Sequence, residues 1–327
     1  MKAEPRMLVV VNKTAANARR VWPTITDSLK RANIEFGVHE TTETGDATKA
    51  VRAALREGVD LIAVAGGDGT ISEAAAGFFA IDADEKNDGL PSPINHNAVL
   101  AALPAGTGDD FARGLTGRRE PLNHWIDKLI GFCKGASDVV PRIVDVLYGT
   151  ATGASDVNRF IALNVVTIGL GAEVAGRVGA QGRMMQKLPG EARFVAAALG
   201  ALAAWKEQPV RIVVDDDEVI ECDSNLLAVA NGTFAGGGMM FAPEAEVDDG
   251  FFDLLVSRDL SRATILRELP RIRSGLHISN PKVRVLKGKK VTITTTAGAL
   301  PVEADGNVRG ATPAEFRIVP AALRVLV

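Results

Sequence analysis

The first apolar run, 7–11, is rich in β-branched residues and does not alternate, which predicts a strand buried on both faces of a parallel sheet. Val21, Ile25 and Leu29 then recur at i, i+4 and i+8 and predict a helix. A short strand over 34–39 and a second helix over 47–56, stopped by Gly58, follow. The buried-strand pattern returns at 61–65 and, after a polar loop at 82–97, at 99–103; helical spacing returns over 111–115 and at Trp125, Ile126, Leu129 and Ile130. Strands alternating with helices predict a doubly wound α/β sheet.

After residue 140 the texture changes. Strand-like runs follow one another at 143–148, 160–167, 210–214, 226–230, 252–256, 283–286 and 291–296, broken by helices over 191–206 and 262–269. That sequence of elements predicts an antiparallel β-sandwich with a helical insert. The expected division is 1–139 for the α/β domain and 140–327 for the sandwich, with the last strand, 323–327, able to belong to either.

Composition narrows the function. A chain of 327 residues is long enough for two cores, and 37 basic against 40 acidic residues, net −3, argue against a dedicated nucleic-acid binder. Cys133 and Cys222 stand far apart, so no disulfide framework or zinc ribbon is encoded and a reducing cytoplasm fits. The apolar runs at 7–11 and 194–205 are too short for a signal-peptide core or a membrane span. The four histidines form no metal-binding pair, and G-x-S-x-G and Walker A loops are absent, which disfavours hydrolase and P-loop chemistry.

The strongest chemical signal is Gly66-Gly67-Asp68-Gly69-Thr70, between a buried strand and a helical pattern. Glycines at the carboxyl end of such a strand let backbone N–H groups approach phosphate oxygens, and the helix N-terminus favours negative charge. A carboxylate among phosphates needs a cation between, so Asp68 reads as a metal handle; an N-cap in a tight turn is the structural alternative. Pro104-Ala105-Gly106-Thr107-Gly108-Asp109-Asp110 forms a second such loop, in which Asp109 or Asp110 reads first as an N-cap. Asn12, Lys13 and Thr14 follow the first strand and face the same crevice.

These loops, with the run 243–250, Asp305-Gly306 and the closing Pro320-Ala321-Ala322-Leu323-Arg324, resemble the diacylglycerol kinase catalytic-domain family, which includes sphingosine, ceramide and bacterial lipid kinases. The resemblance implies ATP held between an α/β domain and a sandwich domain, with Mg²⁺, and transfer of its γ-phosphoryl group to a lipid hydroxyl. It further implies nucleotide contacts at Asn12, Lys13, Thr14, Thr41, Gly67, Asp68, Gly69, Thr70, Glu73 and Thr107. The first loop reads N-K-T-A-A where the family usually has glycine or serine, and Asp109 replaces a common Asn. By the same resemblance, Asp249 and the main-chain oxygens of Glu246 and Phe251 would hold a structural Mg²⁺, although Asp-Gly is also an ordinary hairpin turn.

Asn307 stands where the family's D-G-E motif places the glutamate that takes the acceptor's proton. An amide cannot do this, which leaves a poor kinase, a loose transition state that makes early deprotonation unimportant, or another carboxylate: Asp68 first, as the resemblance to sphingosine kinases implies, then Asp305, two residues from Asn307, with a strand-to-strand turn as the other reading of Asp305-Gly306. The 194–205 segment reads as a core helix or as a wall of the lipid entrance, with Arg183, Lys187 and Arg193 beside it for anionic headgroups. A peripheral, cytoplasmic enzyme acting on a membrane lipid is the expectation. A soluble-acceptor kinase of the NAD-kinase type, with Asn231-Gly232-Thr233 as its nearest ribose motif, and a nucleotide-binding protein without turnover are the alternatives.

Overall fold

In the computed structural model, which describes residues 5–81, 89–181 and 190–327, strand and helix first alternate. The order is β1 (Met7–Val11), α1 (Ala16–Arg31), β2 (Gly37–Glu40), α2 (Asp46–Arg56), β3 (Leu61–Gly66) and α3 (Asp68–Ala76). A small ribbon of β4 (Phe79–Ala80) and β5 (Ser92–Pro93) precedes β6 (Val99–Pro104), α4 (Asp110–Thr116) and α5 (Leu122–Cys133). The sheet runs β2-β1-β3-β6, all parallel. β3 is buried throughout and β6 over all but its last residue, which is why neither alternates in polarity. From β1 the chain steps outward to β2, then back across β1 to β3. The strand order therefore reverses beside β1 and opens a crevice at the carboxyl ends of β1 and β3.

The chain divides into two compact units, the first comprising Met1–Val146, Val247–Asp249 and Val319–Val327. Residues 324–326 pair in parallel with 99–101 and so extend the first sheet by one strand. Asp145, 2% exposed, holds this return: its carboxylate accepts the N–H of Ala321 at 2.7 Å. Ala321 has φ +49°, a left-handed backbone that a residue with a Cβ rarely adopts, so the hydrogen bond supports a strained corner.

The second unit comprises Leu147–Glu246 and Gly250–Ile318. Its elements are β7 (Arg142–Thr152, entering from the first unit), β8 (Val157–Ala162), β9 (Val165–Gly169), α6 (Leu170–Gly179), α7 (Gly190–Ala204), β10 (Gln208–Val214), β11 (Glu218–Ser224) and β12 (Leu226–Ala230). Then come β13 (Phe234–Ala235), β14 (Met239–Met240), β15 (Phe252–Ser257), α8 (Arg262–Ile272), β16 (Val283–Gly288), β17 (Lys290–Thr295), β18 (Pro301–Ala304) and β19 (Asn307–Leu326), which leaves for the first unit. Neighbouring strands run β16-β15-β12-β9-β18-β19, with β17, β10 and β11 continuing beyond β19 and the β7–β8 hairpin also pairing there. The fold is an α/β domain joined to an antiparallel sandwich whose core includes Phe160, Ile168, Ile212, Phe252, Val302 and Phe316.

Several elements differ from the sequence expectation. The strand expected at 160–167 is two, because the Asp305 carboxylate accepts the N–H groups of Leu163, Asn164 and Val165 at 2.7, 3.0 and 3.3 Å and bends the chain between β8 and β9. β19 is far longer than the expected 323–327 and runs through Gly310, Pro313 and Pro320; at Gly310 a Cβ would lie 2.4 Å from the Thr152 carbonyl oxygen. β11 escapes notice because its residues alternate with charges, and α6 because it is glycine-rich. β2 starts at Gly37 rather than 34, since the Ile34 N–H still bonds back to the Leu29 carbonyl of α1 at 3.1 Å. α8 continues through Pro270 to Ile272. The polar stretch at 82–97 lies partly outside the described residues.

Replacing Asp145 by alanine leaves the Ala321 N–H without its acceptor, and we expect a loss of about 1–3 kcal/mol in urea unfolding. Asp145→Asn, whose amide oxygen still accepts, should lose less. Equal stability of both variants and wild type would show that the return of the last strand is held elsewhere.

Candidate functional site

The glycine loop after β3 is short: β3 ends at Gly66, α3 begins at Asp68, and Gly67 alone lies between. The loop after β6 presses against it. The Ala105 N–H donates to the Gly66 carbonyl at 2.8 Å, and a Cβ on Gly106 would lie 2.8 Å from the Gly67 Cα. At Gly66 a Cβ would lie 2.7 Å from the Thr70 Cβ. Gly66 is therefore required by the approach of α3, and Gly106 by close contact between the two loops.

Asn12, just past β1, closes the crevice from the other side. Its Nδ2 donates to Thr70 Oγ1 at 3.3 Å, while its Oδ1 accepts from the N–H and hydroxyl of Thr14 at 3.1 and 2.5 Å. Asn12, Thr14, Gly67, Asp68, Gly69 and Thr70 are thus gathered at one place, and exposed Thr107 lies next to the Gly106 contact. Lys13 instead pairs with Glu40 at 2.7 Å and stands over the Trp22 ring. Thr41 is buried, its N–H donating to the Val11 carbonyl at 3.0 Å. Glu73 lies half-buried on α3, with its main-chain carbonyl accepting the Thr48 hydroxyl.

Asp68 occupies the first turn of α3, but its carboxylate turns to α4 and accepts the Phe111 N–H at 3.0 Å. Asp68 therefore caps a helix belonging to the neighbouring loop, a role that local sequence spacing does not reveal. Burial raises its carboxyl to about 6; the charges of Asp110 and Asp109 add to the rise, and the N–H groups of Phe111 and Asp110 oppose it. Asp109 precedes α4 in a left-handed conformation, φ +52°, yet its carboxylate closes its own loop by accepting the Gly106 N–H at 2.8 Å. Arg119 balances that charge at 2.6 Å, which accounts for Asp in place of Asn.

In the sandwich unit, Asp305 and Gly306 join β18 to β19 with φ +47° and +89°, a tight hairpin turn. The Asp305 carboxylate serves three backbone amides, as described above. Asn307 opens β19, its Nδ2 3.5 Å from the Asp305 carbonyl oxygen. Sequence reading passed over Glu303, although an acid amid the apolar residues of β18 is a visible signal. It is 6% exposed, accepts the Thr167 hydroxyl at 2.7 Å and also accepts the Gly306 N–H. Burial raises its carboxyl to about 7, Asp305 adds to this, and Thr167, Gly306 and Arg309 oppose it. Asn231 is fully buried, its Nδ2 donating to the Leu163 carbonyl at 2.9 Å.

Within the run 243–250, the Val247 carbonyl accepts the Asp145 N–H at 2.7 Å. Asp248 is paired with Arg142 through contacts of 2.7 and 2.8 Å, and that guanidinium holds its carboxyl below the usual range. Gly250 supplies φ +77° for the turn. Among the described residues no three His, Cys, Asp or Glu side chains converge as a metal cage. The oxygen donors of Glu246, Asp249 and Phe251 suit a hard cation in kind, with Asp249 as their single carboxylate. Arg183 and Lys187 lie outside the described residues, as does the side chain of Arg193.

Residues 6–139 match the family model described as diacylglycerol kinase catalytic domain, and 164–327 match the YegS C-terminal NAD kinase beta sandwich-like domain. A protein named diacylglycerol kinase from Mycobacterium tuberculosis strain H37Rv is 30% identical over 287 residues, covering 86% of this chain and 81% of the relative. Another of that name from Bacillus subtilis strain 168 is 26% identical over 314 residues, 95% of this chain and 92% of the relative. In fold, the chain is similar to the crystal structure of a diacylglycerol kinase from Bacillus anthracis str. Sterne, with TM-score 0.64, 21% identity, and coverage of 100% of this chain and 97% of that one. Yeast NADH kinase complexed with NADH is more distant, with TM-score 0.52, 9% identity, and coverage of 99% and 83%.

Raised carboxyls give a pH dependence of defined sign. The folded chain holds protons on Asp68 and Glu303 at pH values where the unfolded chain has released them. Their contribution to stability is therefore full below the unfolded carboxylate range, and it is lost as pH rises through about 6 for Asp68 and about 7 for Glu303. We expect the stability of wild type relative to Glu303→Gln to fall between pH 5 and pH 8, measured by urea unfolding. A difference independent of pH would mean that Glu303 does not titrate in this range.

Proposed function

The chain belongs to the diacylglycerol kinase catalytic-domain family of lipid kinases, and on that premise we propose that it moves the γ-phosphoryl group of ATP to a hydroxyl of a membrane lipid of the diacylglycerol, ceramide, sphingosine or phosphatidylglycerol kind. The observation that carries the nucleotide site is the contact of the loops after β3 and β6, joined by Asn12 to Thr70 across the crevice where strand order reverses. There the amides of Gly67, Gly69 and Thr70, the side chains of Asn12 and Thr14, and the Thr107 hydroxyl would hold phosphate oxygens. Lys13, Thr41 and Glu73 would complete the nucleotide contacts from the adjoining β1, β2 and α3.

Magnesium, when bound, would neutralise the phosphate oxygens, with Asp68 as the nearby carboxylate and Asp249, Glu246 and Phe251 as a separate structural set. The proposed catalysis is mostly positioning: backbone donors fixed before the nucleotide arrives stabilise charge without rearranging. Asp68 is the favoured proton acceptor, because above about pH 6 it is ionised, whereas the Asp305 carboxylate already serves three amides. The NAD-kinase alternative loses support from Asn231, whose side chain is fully buried rather than available to a ribose. Asn307 favours a second reading, a nucleotide-binding protein with little turnover. Work at a membrane surface would be peripheral, since among the described residues no helix is long and apolar enough to cross a membrane.

Radiolabelled ATP, offered with a panel of these lipids and with NAD, tests the reaction directly. Asp68→Asn keeps an oxygen for the Phe111 N–H, so we expect it to stay folded while phosphoryl transfer drops by about a thousandfold or more. A loss within about tenfold would remove Asp68 from the chemistry. Asn307→Glu should change turnover by less than about tenfold if Asp68 is the base; a rise of several orders of magnitude would mark the natural chain as a degenerate kinase.

A further inference from the structure

Residues 195–204 of α7 read V-A-A-A-L-G-A-L-A-A, without a polar side chain. A helix apolar all round normally lies inside a protein. Among the described residues one side alone is covered: Ala197, Ala198, Ala201 and Leu202 pack on Leu170 and Val174 of α6. The other side, with Val195 at 54% and Leu199 at 49% exposure and Ala196, Gly200, Ala203 and Ala204 between and beyond them, faces outward.

The neighbouring helix carries the complementary charge. Ile265 of α8 packs against the α6–α7 cluster, and Arg262 donates to the Trp205 carbonyl, one residue past α7, at 2.9 Å. From Arg258 to Arg284 the chain holds seven Lys or Arg residues and two Asp or Glu, an excess of positive charge in a protein of net −3. Glu268 pairs with Arg271 and Glu218 with Arg284. Leu266 and Arg267 of α8, and Arg273 just past its end, lie exposed at the surface.

We propose that the outward face of α7 and the arginines of α8 form a docking surface for an anionic lipid bilayer, α7 lying in the interface plane with α8 against the headgroups. An apolar face alone would equally suit a second copy of the chain. A pairing through α7 accounts for the apolar half alone, however, whereas anionic headgroups satisfy both the apolar and the charged halves. The assignment rests on the lipid-kinase reading and locates where that enzyme meets its acceptor's membrane.

The test is flotation of the full chain with vesicles of phosphatidylcholine alone or containing phosphatidylglycerol, at low and high salt, alongside phosphoryl transfer to a short-chain diglyceride dissolved as monomers. We expect wild type to float with anionic vesicles at least about tenfold better than with neutral ones, and salt to weaken this binding. Leu199→Glu and the double variant Arg267→Glu, Arg273→Glu should each lose most of that binding yet keep wild-type transfer to the monomeric acceptor and wild-type unfolding midpoints. The surface is overturned if wild type does not float, if both variants float as well as wild type, or if Leu199→Glu converts a dimer into a monomer on sizing. Wild type that floats as expected but transfers phosphate to no lipid would overturn the kinase reading and leave the surface supported.

Discussion

The glycine-loop end of the first unit depends on a shortage of space. Gly67 and Gly106 come so close that a Cβ on Gly106 would lie 2.8 Å from the Gly67 Cα, and this contact draws the starts of α3 and α4 to the same spot. Two helix N-termini side by side concentrate unpaired backbone N–H groups and positive potential. The Asp68 carboxylate sits among them and offsets part of that potential, at the cost of burial and of proximity to Asp110. Its raised proton affinity is thus a product of the same crowding that makes the place attractive to phosphate.

Carboxylates that accept backbone amides recur through the fold. Asp68 caps α4, Asp109 closes its own loop, Asp305 fixes the bend between β8 and β9, Glu303 takes the Gly306 N–H, and Asp145 holds the corner at Ala321. Each side chain stabilises a backbone path that hydrogen-bonded strands and helices cannot continue by themselves. A charged acceptor on a buried amide forms a strong bond, and leaving that amide without a partner is costly. This explains why acids that look catalytic in the sequence, Asp305 above all, are occupied with architecture.

The α/β half was legible because its signals are local. Buried parallel strands give unbroken apolar runs, and β1, β3 and β6 fall close to the expected positions. In the sandwich, local signals mislead. Asp305 splits one apolar run from more than a hundred residues away, and β19 passes through glycine and prolines that sequence spacing alone treats as stops. At the candidate site the sequence marked the loops, while the partners chosen by their side chains depend on folding. Lys13 turns to Glu40, Asp68 to α4, and Glu303 to Thr167 and the Gly306 N–H.

The long course of β19 bears on the order in which the protein is made. The first sheet gains its fifth strand from residues 324–326, and the corner beside that strand needs Ala321 to meet Asp145. A ribosome releases those residues after the whole sandwich sequence has left it. The first unit, whose other four strands are made before the sandwich, therefore waits with one edge of β6 unpaired until residues 324–326 follow. An open edge of that kind is a template for wrong pairing, so the interval between the two events is when this chain is most exposed to aggregation.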